Sequence, residues 1–260
     1  MRYKIVGSLL LTVNLVYGSA WVQQKGKFFI SPSFYYYNAS NYYDKKGNKK
    51  PIGCDFEKRE FQLYGEYGLT SKETLTFKVP YQSLKCVNST EGFSDIEIGV
   101  IRNLRRDANS SLSLYGNLIV PTGYSIKENP RLGYGRFGIE GGLLYGLSDR
   151  WGYLDSGLLY RYYFGYPSSQ LRPYVSIGYN ITKEVQLYMS LDAQIGLGDG
   201  NKKVVGNNIF LEPDYKLVQI YVGPRLMLKG FSLGAGYQRL IWGRNTGDGQ
   251  GFYVNGWFSF

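Results

Sequence analysis

From Val185 to Leu197 the chain reads VQLYMSLDAQIGL, and every second residue is apolar: Val185, Leu187, Met189, Leu191, Ala193, Ile195 and Leu197. Between them stand Gln186, Tyr188, Ser190, Asp192, Gln194 and Gly196. A period of two puts these sets on opposite faces of a β-strand, one suited to hydrocarbon and the other to water. The run is also about twice as long as a common soluble strand of roughly 5–6 residues.

The same test along the chain predicts twelve strands. They lie near 27–42, 56–69, 74–86, 94–104, 111–123, 134–147, 153–165, 170–181, 185–197, 215–228, 231–244 and 251–260. The connections alternate in length. TSKE, RRDANS, SDRWG, TKE and KG are short, whereas DKKGNKKPIGCD, CVNSTEGF, YSIKENPRLG, YPSS, GDGNKKVVGNNIFLEPD and NTGDGQ are mostly longer. Short turns at one end and long loops at the other are the pattern of outer-membrane barrels, whose short turns face the periplasm. A sheet in lipid must pair every backbone group internally, so it closes on itself. The expected fold is therefore all-β, a transmembrane antiparallel up-and-down barrel with both termini periplasmic. A soluble sandwich, the competing reading, does not account for the strand lengths.

Composition agrees, with 26 Tyr, 14 Phe and 34 Gly beside three Met and no His. Aromatic residues favour strands, and Gly marks turns and close backbone approach. Without imidazole, Ser-His-Asp and Cys-His catalysis are excluded, and so is the commonest transition-metal ligand. The chain is read as no enzyme, with no cofactor and no metal. GDGN at Asp199 and GDGQG at Asp248 look like calcium loops but lack the terminal ligand spacing. The net charge of +10 is dispersed, without basic blocks interleaved with aromatics, which argues against nucleic acid. It suits a solvated surface or attraction to anionic headgroups of outer-membrane lipid and lipopolysaccharide.

The ends fit export. MRYKIVGSLLLTVNLVYGSA has Arg2 and Lys4, an apolar stretch from Ile5 to Val16, and small residues at Gly18-Ser19-Ala20. Residues 1–20 read as a signal peptide cleaved before Trp21, leaving 21–260 as the barrel. At the other end, Phe252, Val254, Gly256, Phe258 and Phe260 alternate as a lipid-facing set. They are expected to form the closing strand, and the pattern resembles the signal by which the barrel-assembly machinery recognises outer-membrane clients.

Alternation turns a set of charges inward: Glu60, Glu66, Lys78, Asp95, Glu97, Glu140, Asp155, Arg161, Arg172, Asp192 and Arg225. Arg or Lys facing lipid near the midplane would cost about 2–4 kcal/mol, so the lumen is where they belong. Twelve strands lie between the eight-strand case, filled by side chains, and the wide porins. These charges can knit a plug or line a narrow selective pore, and both readings stand. The TSKE turn sets Glu66 and Lys78 as a diagonal cross-strand ion pair. Cys54 and Cys86 are nearly equidistant from that turn, which predicts a disulfide at the outer rim. Pro32, Pro80, Pro121, Pro173 and Pro224 each remove a ladder donor and are expected at rims or bulges.

The segments FQLYGEYGLTSKETLTFKVPYQSL, FSDIEIGVIRNL, SLYGNLIVPTGY and RPYVSIGYNITKEVQLYMSL resemble a known barrel family. It is the phenol-degradation-pathway (MetA-pathway-like) transporter-type family of the outer membrane. The likeness spans most of residues 27–197, with Ser94 where the family often has Gly. It implies a barrel of transporter or channel type and supplies no catalytic residues; the solute is not carried over.

Overall fold

The computed structural model describes residues 19–200 and 214–260, so most of the stretch expected to be a signal peptide, residues 1–20, and most of the loop after residue 197 lie outside the described residues. Thirteen strands run in chain order: β1 (Phe28–Tyr43), β2 (Lys49–Gly68), β3 (Glu73–Lys85), β4 (Ser89–Phe93), β5 (Ile96–Arg106), β6 (Ser110–Val120) and β7 (Gly138–Asp149), followed by β8 (Gly152–Tyr163), β9 (Gln170–Asn180), β10 (Val185–Gly196), β11 (Lys216–Leu228), β12 (Phe231–Arg244) and β13 (Thr246–Ser259). Each long strand pairs antiparallel with its neighbours, and β1 pairs with β13, which closes the sheet. β4 and β5 share one place in the wall, because β3 pairs with β5 over its first half and with β4 over its second. The barrel therefore has twelve positions, as the periodicity predicts.

The faces are inverted relative to a soluble protein. On β10, Leu187, Met189 and Leu191 are exposed on the outer wall, while Gln186, Ser190, Asp192 and Gln194 are buried inside. Apolar atoms facing out around the whole barrel are what a hydrocarbon solvent selects.

The turns 69–72, 107–109, 150–151, 181–184 and 229–230 mark one end of the barrel. At the other end the outcome differs from expectation. β2 starts at Lys49, well before residue 56, so the first loop shrinks to 44–48. β13 starts at Thr246, leaving only Asn245, at φ 52, between it and β12. Pairing to a neighbour outcompeted the local turn chemistry in both places. Asp248, read as part of a calcium-like loop, instead lies in β13 with Lys49 Nζ at 2.9 Å and Arg239 Nη2 at 3.3 Å.

The prolines are also placed differently. Pro32, Pro173 and Pro224 sit inside β1, β9 and β11, each facing one partner, namely Leu63, Leu158 and Leu187. On its other side each falls in a two-residue gap of the ladder without a register shift. A missing N–H is accommodated by skipping rungs rather than by a bulge. Pro80 lies where β3 changes partner from β5 to β4, and Pro121 directly follows β6.

Cys54 and Cys86 form the expected disulfide, with Cα atoms 5.5 Å apart. Phe252 and Val254 face outward, and the last rung joins Phe260 to Phe28 by two backbone hydrogen bonds of 2.9 and 3.3 Å.

Candidate functional site

Inward side chains divide the lumen into three levels. At the short-turn end lies a chamber of about 460 Å³. The segment before β1 folds into its mouth, which the sequence did not foretell. Ala20 is fully buried against Ile101, Tyr115 and Leu144. Its carbonyl accepts the Ser111 and Ser113 hydroxyls at 2.7 and 2.6 Å. Gln23 donates its backbone N–H to Thr74 Oγ1 at 2.8 Å and its side-chain amide to Glu66 at 2.6 Å.

Glu66, Asp155, Asp192 and Arg225 all line this chamber. Glu66 also accepts the Tyr64 hydroxyl at 2.7 Å, and Asp192 accepts Ser190 Oγ at 2.8 Å. Arg225 stacks over Trp257 at 4.3 Å. The register does set Glu66 and Lys78 on a diagonal, with Lys78 opposite Tyr64 and Glu66 opposite Thr76. Lys78 turns to Glu97, its direct partner on the next strand.

Above the chamber, polar side chains from six contiguous wall positions, five of them charged, join in one arc. Lys78 of β3 pairs with Glu97 of β5, and Asn117 of β6 donates to Glu97 at 2.8 Å. Arg161 of β8 spans both carboxylates, with Nε to Glu140 of β7 at 2.7 Å and Nη2 to Glu97 at 3.2 Å. Arg172 of β9 reaches the same Glu140 oxygen at 2.6 Å. Arg161 and Arg172 are 2% and 0% exposed, so no open water path runs past them. Lys58 and Glu60, at 2.7 Å, add a second buried pair, and Gln82 donates to Glu60 at 2.6 Å. The space left among Glu60, Lys78, Glu97 and Arg161 is about 10 Å³, room for roughly one water.

The long-loop end is filled by an apolar cluster. Tyr37, Phe56, Leu84 and Ile119 from the strands meet Leu132, Tyr134 and Tyr166 from loops folded into the mouth. Asp95 sits just below, between β4 and β5, and accepts the Tyr124 hydroxyl. Burial first, and the Asp95 carboxylate second, push the Tyr124 pKa well above its ordinary value, so it remains a donor.

All eleven charges read from the alternation thus face the lumen or its chamber. The structure brings five of them, Lys78, Glu97, Glu140, Arg161 and Arg172, into one network. Lys58, Asn117 and the Ser19–Gln23 segment were missed. Lys58 shares the inward parity of Glu60 and was legible on that ground. The segment carries no strand period and was not.

No family model matches the sequence, and no curated protein matches it. Solved structures do match. The COG4313 outer membrane channel from Pseudomonas putida F1 superposes with a TM-score of 0.77 at 16% identity, covering 95% of this chain and 100% of that one. The NanC porin gives 0.54 at 10% identity, over 88% and 98% of the two chains. The KdgM porin, solved in complex with oligogalacturonate, gives 0.50 at 10%, over 88% and 99%. At these identities the likeness concerns architecture, and the chain has the closed twelve-strand fold of bacterial outer-membrane channels.

Proposed function

We propose that this chain is an outer-membrane channel that passes small solutes through a narrow charged lumen, held shut in the conformation described above. The short-turn end then faces the periplasm, and residues 1–20 are the export signal; once it is cut before Trp21 the contacts of Ser19 and Ala20 are lost, and Trp21 and Gln23 remain at the chamber. The observation that carries this reading is the ionic arc. A barrel that only needed a stable plug would gain as much from apolar filling, because buried ion pairs seldom outperform well-packed hydrophobic residues. Side chains that carry three cations and two carboxylates across a lumen instead offer a polar path once the arc rearranges. Lys78, Arg161, Arg172 and Arg225 favour anions along it, and Glu60, Glu66, Asp95, Glu97, Glu140, Asp155 and Asp192 oppose them.

Conductance of the purified protein in planar bilayers tests the proposal. Discrete openings are expected, and charge reversal at Arg161 and Arg172 should shift the reversal potential toward cations. No conductance at any voltage would overturn it. That result would favour a second reading, a plugged structural barrel whose long loops bind a surface partner such as polysaccharide, for which the full burial of Arg161 and Arg172 speaks.

A further inference from the structure

Charge on the outer wall at the long-loop end is balanced between β2 and β3. There Lys85 stands directly opposite Glu57, which also reaches Arg59 at 3.6 Å. Between β11 and β12 it is not balanced, because Lys216 stands directly opposite Arg244. Both face outward. Their neighbours Leu217 and Gly243 pair on the buried inner face, and Val218 and Trp242 form the next outward rung, with Trp242 exposed. Side chains directly opposite in an antiparallel pair have Cβ atoms about 5 Å apart, and like charges there destabilise the sheet.

Among the described residues, no carboxylate forms an ion pair with either cation; those nearby are engaged elsewhere. Asp214, two residues before Lys216, accepts the Gly198 N–H at 3.1 Å. Asp44, whose carbonyl accepts the Asn245 N–H just beyond Arg244, pairs with Lys50 at 3.1 Å. Asp248 is shared by Lys49 at 2.9 Å and Arg239 at 3.3 Å. Arg239 faces Ile220, two outward rungs below Arg244. This stretch of wall thus carries Lys49, Lys216, Arg239 and Arg244 around one carboxylate, Asp248, which is itself buried. The Arg244 guanidinium lies 5.8 Å from the centre of the Trp242 ring. An exposed Trp near the strand ends belongs to the aromatic girdle, where hydrocarbon gives way to headgroups. The cations therefore stand at the height of lipid phosphates.

We propose that this stretch of outer wall is a binding site for a phosphorylated lipid headgroup, that of lipopolysaccharide in the outer leaflet, with one phosphate bridging Lys216 and Arg244. An anion between the two converts a repulsive rung into a stabilising one, and a guanidinium offers phosphate two parallel N–H donors. Trp242 packs beside the head of an acyl chain, and Arg239 and Lys49 extend the positive surface toward β13 and β1. The site rests on the long-loop end facing outward, as in the reading above, and does not need the lumen to open.

Native mass spectrometry of the barrel isolated in detergent, titrated with diphosphoryl lipid A, reads the binding. Dephosphorylated lipid A and inorganic phosphate are separate arms, and heat-modifiable mobility on gels checks that each variant is folded. Lys216→Gln and Arg244→Gln should each weaken lipid A binding about tenfold, the effect of one lost charge-assisted hydrogen bond. Lys216→Arg should preserve it, and so should Lys85→Gln, which removes an outward cation already faced by Glu57. Thermal unfolding adds a sign that a merely structural role would not give. In detergent alone Lys216→Gln should melt above the wild type, because the repulsion is gone, and with lipid A it should melt below. Equal affinity of the wild type and K216Q/R244Q, or an affinity that survives dephosphorylation, would overturn the site. Stabilisation by inorganic phosphate as large as that by lipid A would overturn the lipid as its occupant. Labelling of Lys45→Cys on intact cells by a membrane-impermeant maleimide tests the orientation separately, since lipid A binding without labelling would keep the phosphate site and overturn its place in the outer leaflet.

Discussion

Glu140 is the keystone of the ionic arc, and its removal has a calculable consequence. One of its oxygens accepts both Arg161 Nε at 2.7 Å and Arg172 Nη1 at 2.6 Å. Glu140→Gln keeps the volume but turns three cations against two carboxylates into three against one. Arg161 retains Glu97, whereas the Arg172 contact to Glu140 loses its charge. Breaking a buried pair by neutralising one member typically costs about 3–5 kcal/mol, because a desolvated charge is left uncompensated. Urea unfolding from lipid vesicles, followed by tryptophan fluorescence, should register a loss in that range. The double variant E140Q/R172M removes the guanidinium whose pair with Glu140 was lost, so it should recover about 2 kcal/mol, a coupling within the usual range for side chains in contact. Planar-bilayer recordings of Glu140→Gln should show stronger anion preference. A cost below about 1 kcal/mol with an unchanged reversal potential would mean that water already screens these charges, as it does for surface pairs. The arc would then neither close the lumen nor set its selectivity.

Four further outcomes follow from the geometry. Deleting Phe260 removes both backbone bonds to Phe28 at the seam, and the fraction of heat-modifiable, folded barrel should fall in cells more than any conductance changes. Replacing Cys54 and Cys86 by Ser opens a loop with a sequence separation of 32, which by chain entropy should cost about 4 kcal/mol in the same urea assay. Gln23→Ala unties the N-terminal segment from Glu66 and should raise the open-state current; an unchanged current would show that the segment does not obstruct flow. Asp44, in the turn outside the membrane, has its pKa lowered to about 2, first by the Asn48 N–H. Its stabilisation is complete above the ordinary carboxylate pKa and is lost as pH falls through the folded value. Amide exchange at residues 46–48 should therefore accelerate between about pH 4 and pH 2 in the wild type and not in Asp44→Asn.

Much of this was legible in the sequence because a barrel wall is a periodic object. Parity alone sends Leu187 and Asp192 to opposite faces, and it sorted all eleven inward charges without knowledge of any contact. What parity cannot supply is shear. Glu66 and Lys78 share a face, but the pairing of Lys78 with Glu97 depends on which rung of β5 lies beside β3, and that is settled only when the ring closes. The same blindness hid the extra length of β2 and β13, where turn-forming residues such as Gly53 and Gly249 were captured by a neighbouring strand.

The prolines show where local and global demands meet. Each was correctly expected to disturb the ladder, but the disturbance took the form of skipped rungs inside intact strands. An isolated skip costs little when the barrel around it fixes the register on both sides. Pro80 and Pro121 lie on the wall positions to either side of the one that β4 and β5 share, where β3 exchanges β5 for β4. There the skip becomes a gap, and the protein fills it with a tyrosine, a threonine and a leucine from one loop instead of with backbone. A seam built from side chains can open by rotamer changes, whereas a seam built from a ladder can open only by unfolding. Pro80 and Pro121 thus flank a stretch of wall that is closed in part by side chains.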